Sequence, residues 1–539
     1  MHSTILFPGR RIGMLRKYFR INHCNLTNIR RTFSISTEYD DVLRRIPPTK
    51  FEFPEPKIQI PDQEELTLKR VLEVWKLEID HYIDFIRNPA PEKRFLREVL
   101  PKNFDIIVIG SGYIGTSIAY WLRERYRENQ SILVIDKNLD INNIINIKKP
   151  EQITAALAAT GNIRQQFSLK ENIDMARISA DFFRNLDETI RLRDETFPSV
   201  PYKPFGFLTL AKPESEEMMK ENNLLQTSLN INNELLTPFQ MNQRFPWLNT
   251  SDIRLGCHGL QDEGWIDPYM YLMTMRQAAI KRGTIFLEAE PVEFAHGQEI
   301  DFKGFEPMSY RQTNHIILKL PDGSYKKIAF GHCILATGPD THRFTKELLH
   351  LDKKNPGLFG MEIPVERRKR YIFNFEAPEG GMELSSPLVV DPSGLFVHRT
   401  GVHDYVCGMA PIPEEEPSTD NLDVDYDFFY KRIWPLLANR IPALEQLRLI
   451  SGYAYYIDHN TYDESGIIGR IPAYPNIFVV AGFGENEFQF SPVLGKALHE
   501  LLFDDCFVTA DLYNLSYKRI LLDYALQEGI QLHEGIRLN

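Results

Sequence analysis

The sequence predicts an α/β protein in which a parallel-sheet, nucleotide-binding domain is interleaved with a β-rich α+β domain. Three observations predict it. A buried-strand pattern, Asp105 to Ile109, runs into Gly-Ser-Gly-Tyr-Ile-Gly and then into a helix. A second strand pattern, Ser131 to Ile135, ends on an acid, Asp136. A further strand, glycine turn and helix, "NIFVVAGFGENEFQFSPVLGKALHELLF", stands near the far end of the chain, with a β-rich stretch before it.

The elements follow in order along the 539 residues. Seven basic residues (Arg10, Arg11, Arg16, Lys17, Arg20, Arg30 and Arg31) precede the first acid, Glu38, and apolar residues lie between them. That pattern predicts a mitochondrial transit peptide over 1–36, with "RRTFSIS" near its cleavage site. Removing those seven charges from a net −11 leaves −18, so the mature surface is acidic. A nucleic-acid partner is therefore not expected. Residues 37–103 form a Pro-rich linker and then an amphipathic helix, with Leu66, Val71, Leu72, Trp75, Ile79 and Ile83 near helical spacing. No apolar run reaches the roughly 18 residues of a spanning helix, so no transmembrane segment is expected, though peripheral contact with an inner membrane stays open. The five cysteines are scattered without a Cys-x-x-Cys pair, and no histidine spacing suits a metal.

In the first βαβ unit, Ile114, Ile118, Leu122 and Tyr126 recur every four positions, which turns one helix face onto the sheet. Asp267-Pro268 opens a later helix, since Asp caps and Pro at the first turn loses no hydrogen bond. Gly283 stops it, and "TIFLEAEPVEF" reads as the next strand. "GHCILATGP" is another strand ending in a glycine turn, 360 to 410 is β-rich, and 426 to 439 is helical. The basic run "ERRKRY" (366–371) could meet a partner or a carboxylate substrate, but solvated surface is the default reading for it and for the acids Glu414, Glu415 and Glu416. The nucleotide-binding domain is thus expected over 104–195, 256–345 and 453–539 (the last including a C-terminal tail), and the second domain over 196–255 and 346–452.

Each glycine of the first turn has a physical role. Gly110 permits the tight exit from the strand, Gly112 lets a diphosphate approach the backbone, and Gly115 lets helix and strand pack closely. The helix start then offers free N–H groups to phosphate. Asp136, 21 residues beyond Gly115, suits ribose hydroxyls and makes a 2′-phosphate unwelcome. The ligand is then FAD or NAD, which this loop does not separate. The late strand, glycine turn and helix favour FAD, whose ring reaches far enough to need a second backbone contact.

From about Phe104 to Asp511 the chain resembles the D-amino acid oxidase and sarcosine oxidase class of flavoproteins. Within it the chain is most similar to a mitochondrial branch associated with assembly of respiratory complex I. The strings that carry this are "QQFSLKENI", "FPWLNT", "DEGWIDPY", "IPVERRKRY", "NLDVDYDFF" and "NTYDESGIIG". The resemblance implies a D-amino acid oxidase-like fold, in which a Rossmann-type FAD-binding domain is interleaved with a substrate-type domain. It implies FAD on Gly110, Ser111, Gly112, Tyr113, Ile114, Gly115 and Asp136, with Lys137 just beyond. It further implies adenine near Val292, the diphosphate near Ala336 to Gly338, and the flavin ring above "GFGENEFQF", which includes Gly482, Gly484 and Gln489.

The chain departs from that class at informative places. The late motif there reads Gly-Phe-Ser-Gly-His-Gly; here Glu485 and Glu487 replace two glycines. Two negative charges near the ring would disfavour a reduced, anionic flavin. Where the class carries a lysine, this chain has the neutral Gln489. No thiol stands in "YAYYIDHN", so FAD is expected to be non-covalent. Ala155 and Ala156 replace serines. Arg164 matches an arginine that holds a substrate carboxylate, a task its planar fork suits; a surface or diphosphate contact is the plainer role. Two functions follow from the resemblance. One is an assembly factor that binds complex I subunits or assembly intermediates. The other is an active oxidoreductase cleaving C–N bonds of a small amino acid-like substrate.

Overall fold

The computed structural model describes residues 75–76, 100–125, 130–139, 154–191, 197–260, 262–299, 311–355, 360–378 and 380–529. The leader over 1–36, the linker, the amphipathic helix apart from Trp75 and Lys76, Tyr126 and the tail from 530 lie outside the described residues.

Strand β1 (Asn103–Ile109), helix α1 (Tyr113–Arg125) and strand β2 (Ile132–Asp136) form the opening βαβ unit. Alternation along β1 decides which layer each side chain joins. Ile106 and Val108 enter the core under the helices, while Ile107 and Ile109 enter the core on the opposite face. Both faces are therefore covered, which is why the strand reads as a continuous apolar run. Helices α2 (Ala155–Ala158) and α3 (Lys170–Arg184) follow, and then the chain leaves for the second sheet through β3 (Phe207–Ala211), β4 (Asn233–Leu236) and β5 (Leu255–Gly259).

It returns through α4 (Pro268–Lys281), whose cap is Asp267 accepting from Met270 N–H, and Gly283 follows with φ 93°. The single strand expected over 284–294 is two strands, β6 (Ile285–Glu288) and β7 (Glu290–Glu299). The reason is a change of partner. β6 pairs parallel with β2, Ala289 donates to the Asp136 carbonyl, and β7 then pairs antiparallel with β8 (Arg311–Lys319). Strand β9 (Tyr325–Leu335) runs parallel beside β1.

The second sheet continues with β10 (Val365–Glu376), β11 (Leu388–Val390), β12 (Phe396–Arg399), β13 (Asp404–Gly408) and β14 (Arg448–Asn460). A hairpin, β15 (Ile467–Ile471) and β16 (Tyr474–Ala481), then rejoins the first sheet beside β9, and helix α5 (Glu487–Asp504) closes that domain. The first sheet has the order β7-β8-β9-β1-β2-β6, with the hairpin on β9. The second has the order β14-β10-β13-β12-β11-β3-β5-β4. Two expected boundaries move as a result. β5 belongs to the second sheet although it begins at Leu255, and β14 carries that sheet past 452 to Asn460.

The basic run and the acidic loop, both expected on solvated surface, meet each other. Lys369 and Arg370 are buried on β10, and Arg370 holds Glu416 at 2.5 Å. Helix α5 crosses α1 closely because Gly495 has no side chain; a β-carbon there would stand 2.4 Å from Ser117 Oγ. That crossing fixes the turn before α5 over the start of α1.

Candidate functional site

The glycine turn and the "LATGP" turn are packed on one another. A β-carbon on Gly110, whose φ is 101°, would stand 2.0 Å from the Ala336 carbonyl oxygen. One on Gly115 would stand 2.0 Å from the Gly110 carbonyl oxygen. No side chain fits at either position, so both glycines are needed for the turn to close. Gly112 and Gly338 differ. Each faces open space into which, among the described residues, only Glu487 reaches, its carboxyl oxygens lying 3.3 Å and 3.9 Å from where their β-carbons would be. The start of α1 therefore keeps a cradle bounded by two backbone turns, and its free N–H groups suit an anion.

Asp136 is at the end of β2, where sequence places it. Ser111 donates to its Oδ2 from N at 2.7 Å and from Oγ at 2.9 Å, and Asn138 N donates to Oδ1 at 2.9 Å. These bonds leave a lone pair on Oδ1 for a hydroxyl donor. Arg276 of α4 backs the turn, donating to the Ser111 carbonyl at 3.2 Å and to Ser111 Oγ at 3.0 Å. Sequence reasoning did not find Arg276; the signal was a lone arginine on an otherwise apolar helix face. Ile114 is buried in the core. Val292 lies at an irregularity of β7, between the paired Pro291 and Glu293, so its backbone is outside the ladder and available to a ligand. Lys137 is not aimed at the cradle. Its ammonium pairs with Asp340 Oδ2 at 2.7 Å, which ties the end of β2 to the turn after Ala336.

Beyond the cradle a cavity of about 150 Å3 opens between the two sheets. Tyr113, Arg164, Tyr455 and the turn from Gly484 to Gln489 line it, with Ala155 among the smaller groups. Tyr113 is buried and donates from its hydroxyl to the Ala156 carbonyl at 2.6 Å. Burial, with Glu487 nearby, holds that phenol well above its ordinary value, so it stays a donor. Arg164 lies over the Phe167 ring at 4.4 Å, and its backbone N–H donates to Gln489 Oε1 at 3.0 Å. Among the described residues no carboxylate is within ion-pair distance of its guanidinium, and burial lowers its pKa. Gln489 Nε2 is buried without a hydrogen-bond partner. Arg164 Nη2 donates weakly to Asn486 Oδ1 at 3.5 Å, so Gln489 Nε2 is the donor in the cavity wall left without an acceptor among the described residues.

The late turn hangs on a residue that sequence reasoning also missed. Asp458, 1% exposed on β14, accepts from Gly482 N at 2.6 Å and from Gly484 N at 2.9 Å. Burial raises its carboxyl to about 6 despite these bonds. The signal was a single acid inside the apolar alternation of "YYIDHN". The two glutamates of the turn part company. Glu485 is half exposed, 3.8 Å from Arg370 Nε, while Glu487 points at the cradle. Burial first, and Asp458 second, raise the Glu487 carboxyl to about 8, which favours its neutral form.

The glycine turns, the acid after β2 and the ladder-free Val292 fit an adenine dinucleotide. Comparisons with known proteins agree. The family model for FAD dependent oxidoreductases matches residues 105–501. FAD-dependent oxidoreductase domain-containing protein 1 of Xenopus laevis is 32% identical over 422 residues, 78% of this chain and 83% of that protein. Peroxisomal sarcosine oxidase of Homo sapiens is 25% identical over 324 residues, 56% of this chain and 71% of that one. Among solved structures, L-proline dehydrogenase from P. horikoshii aligns over 79% of this chain and 100% of its own, with a TM-score of 0.63 and 20% identity.

Proposed function

Because this chain belongs to the FAD dependent oxidoreductase family, we propose that it is a mitochondrial matrix protein that binds FAD without a covalent bond and serves as an assembly factor for respiratory complex I. The observation that carries this reading is the turn from Gly482 to Gln489. The resemblance implies a flavin-ring loop here, and this chain fills it with Glu485, Glu487 and a neutral Gln489. The dinucleotide cradle supports retained binding of the cofactor, and the altered turn supports a loss of selection for turnover. The basic leader supports the compartment. The absence of a thiol from "YAYYIDHN", where the resemblance would place a tethering cysteine, supports a non-covalent flavin.

The cradle of Gly110, Gly112, Gly115 and Gly338 would hold the diphosphate, Asp136 the ribose, and the cavity wall the ring. Bound FAD would supply a two-electron acceptor. The chain's own contribution beside it is binding and orientation. Arg164 and Gln489 offer donors to a carboxylate, and the apolar wall of Ile372, Leu388, Val390 and Phe396 excludes water from it.

Arg164 favours a second reading, an oxidoreductase acting on the C–N bond of a small amino acid-like substrate. A guanidinium lining a cavity without an ion-pair partner among the described residues suits a carboxylate ligand. One preparation separates the two. The chain, purified without its leader, is examined by visible spectroscopy under nitrogen. A flavin spectrum unchanged by N-methylglycine, with co-purification of complex I intermediates from mitochondria, is expected. Bleaching by the amine would favour the oxidoreductase, and a colourless protein that takes up no added FAD would overturn both.

A further inference from the structure

Glu487 has an unusual position for an acid. Among the described residues its carboxyl is the one side-chain group within 4 Å of where β-carbons on Gly112 and Gly338, the two turns that bound the diphosphate cradle, would stand. Among the described residues it takes part in no hydrogen bond and no ion pair. It cannot easily be elsewhere. It is the first residue of α5, which is pinned to α1 by the close crossing at Gly495, and the turn before it is pinned by Asp458.

We propose that Glu487 shares the diphosphate subsite: FAD binds beside it only when it is the neutral acid, whose O–H then donates to a phosphate oxygen, so that binding retains or takes up one proton. This rests on the FAD-binding reading above. Besides hydrogen bonds, the one bond made is the carboxyl O–H of Glu487 where it was ionised, and its proton comes from solvent.

The surroundings leave little alternative. From β14, Asp458 faces the group and repels its charge. From α1, the Tyr113 hydroxyl lies near but donates to Ala156 instead. On the same turn, Glu485 is directed to Arg370. Beyond Gly338, Asp340 is held by Lys137 and Arg367. Among the described residues no cation forms an ion pair with Glu487. The free group already keeps its proton to about pH 8. A dianionic diphosphate in contact holds that proton more tightly still. By linkage, affinity for FAD is level below about pH 8 and falls by up to about tenfold per pH unit above it. A carboxamide in the same place has the same shape and a permanent donor, so it removes the dependence.

The test is FAD binding, followed by quenching of flavin fluorescence from about pH 6.5 to 9.5, with the purified leader-free chain and with Glu487→Gln. ADP, which carries the diphosphate without the ring, is titrated in parallel. The expected result is a dissociation constant that rises roughly tenfold between about pH 8.5 and 9.5 in the native chain and by less than about twofold in Glu487→Gln, for both ligands. Calorimetry in two buffers of different ionisation enthalpy gives the same answer without a variant: close to one proton taken up per FAD at about pH 9, and close to none at about pH 6.5. If both proteins bind FAD with the same pH profile, the role of Glu487 is overturned while FAD binding stands. If a steep profile persists in Glu487→Gln, the proton belongs to another group, Asp458 first, and the proposal fails. If neither FAD nor ADP binds at any pH, the FAD reading fails with it.

Discussion

Replacing Asp458 by asparagine leaves one of the two buried N–H groups it holds, Gly482 or Gly484, facing an amide N–H instead of an oxygen. An unsatisfied buried donor costs about 1–3 kcal/mol. Asp458→Asn is expected to lose stability in that range in denaturant unfolding and to loosen the late turn. In the proposed reading Arg164 serves ligands more than the fold. Arg164→Met should leave unfolding nearly unchanged and weaken binding of small carboxylates about tenfold or more, the scale of a charge-assisted hydrogen bond at roughly 1.5–3 kcal/mol. The perturbation of the flavin spectrum by such a carboxylate measures this. The two glutamates should behave differently, because their geometry differs. Glu487→Gly removes the donor to the phosphate together with the charge and should weaken FAD below about pH 8, whereas Glu485→Gly, at the half-exposed rim, should change affinity less than about twofold. Equal effects on FAD affinity would contradict this placement.

At the scale of elements, the glycine turn is a joint between β1, α1 and the turn after β9. Gly115→Ala would drive a methyl group to 2.0 Å from the Gly110 carbonyl and push α1 off the sheet. Overpacking of this kind costs about 1–3 kcal/mol, and FAD binding should be lost before the fold is. Circular dichroism beside a binding isotherm would show the two effects separately. The pairing of β1, α1 and β2 was legible because each is a local, strongly periodic pattern with an acid and three glycines at fixed spacing. The split between β6 and β7 was not. It depends on a partner more than 20 residues away, β8, and the apolar pattern simply runs through Ala289. The solvated reading of "ERRKRY" failed for a similar reason. Glu416 reaches it across 46 residues of sequence, and nothing local announces the pair.

Across the whole molecule, the strings that carried the family resemblance are places where buried polar groups find partners. In "DEGWIDPY", Glu263 receives Gln166 Nε2 at 2.9 Å and Asp267 caps α4. In "NTYDESGIIG", Asp463 receives Arg519 Nε at 2.7 Å and Leu526 N at 3.0 Å. Such residues are fixed by partners far along the chain, so periodicity does not explain them, yet a resemblance shows them. Asp458 and Arg276 are of the same kind, and reasoning from spacing passed over both. The protonation of the Asp458–Glu487 pair also has a global consequence. Glu487 holds its proton more tightly when folded than an ordinary carboxyl does, so the folded chain binds more protons than the unfolded one. Its contribution to stability is complete below the ordinary carboxyl value and is lost as pH rises to and through about 8. The melting temperature of the chain without added FAD should therefore fall more between about pH 5 and 8.5 than that of Glu487→Gln.

The account rests on a cradle, built by Gly110, Gly112, Gly115 and Gly338, that accepts the diphosphate of FAD. A titration of the leader-free chain with FAD, read by flavin absorbance and fluorescence and competed by ADP, tests this most directly. The account predicts saturable binding of one FAD per chain, displaced by ADP and abolished in Gly115→Ala. FAD that binds without competition from ADP, or no saturable binding to a folded chain, would contradict it.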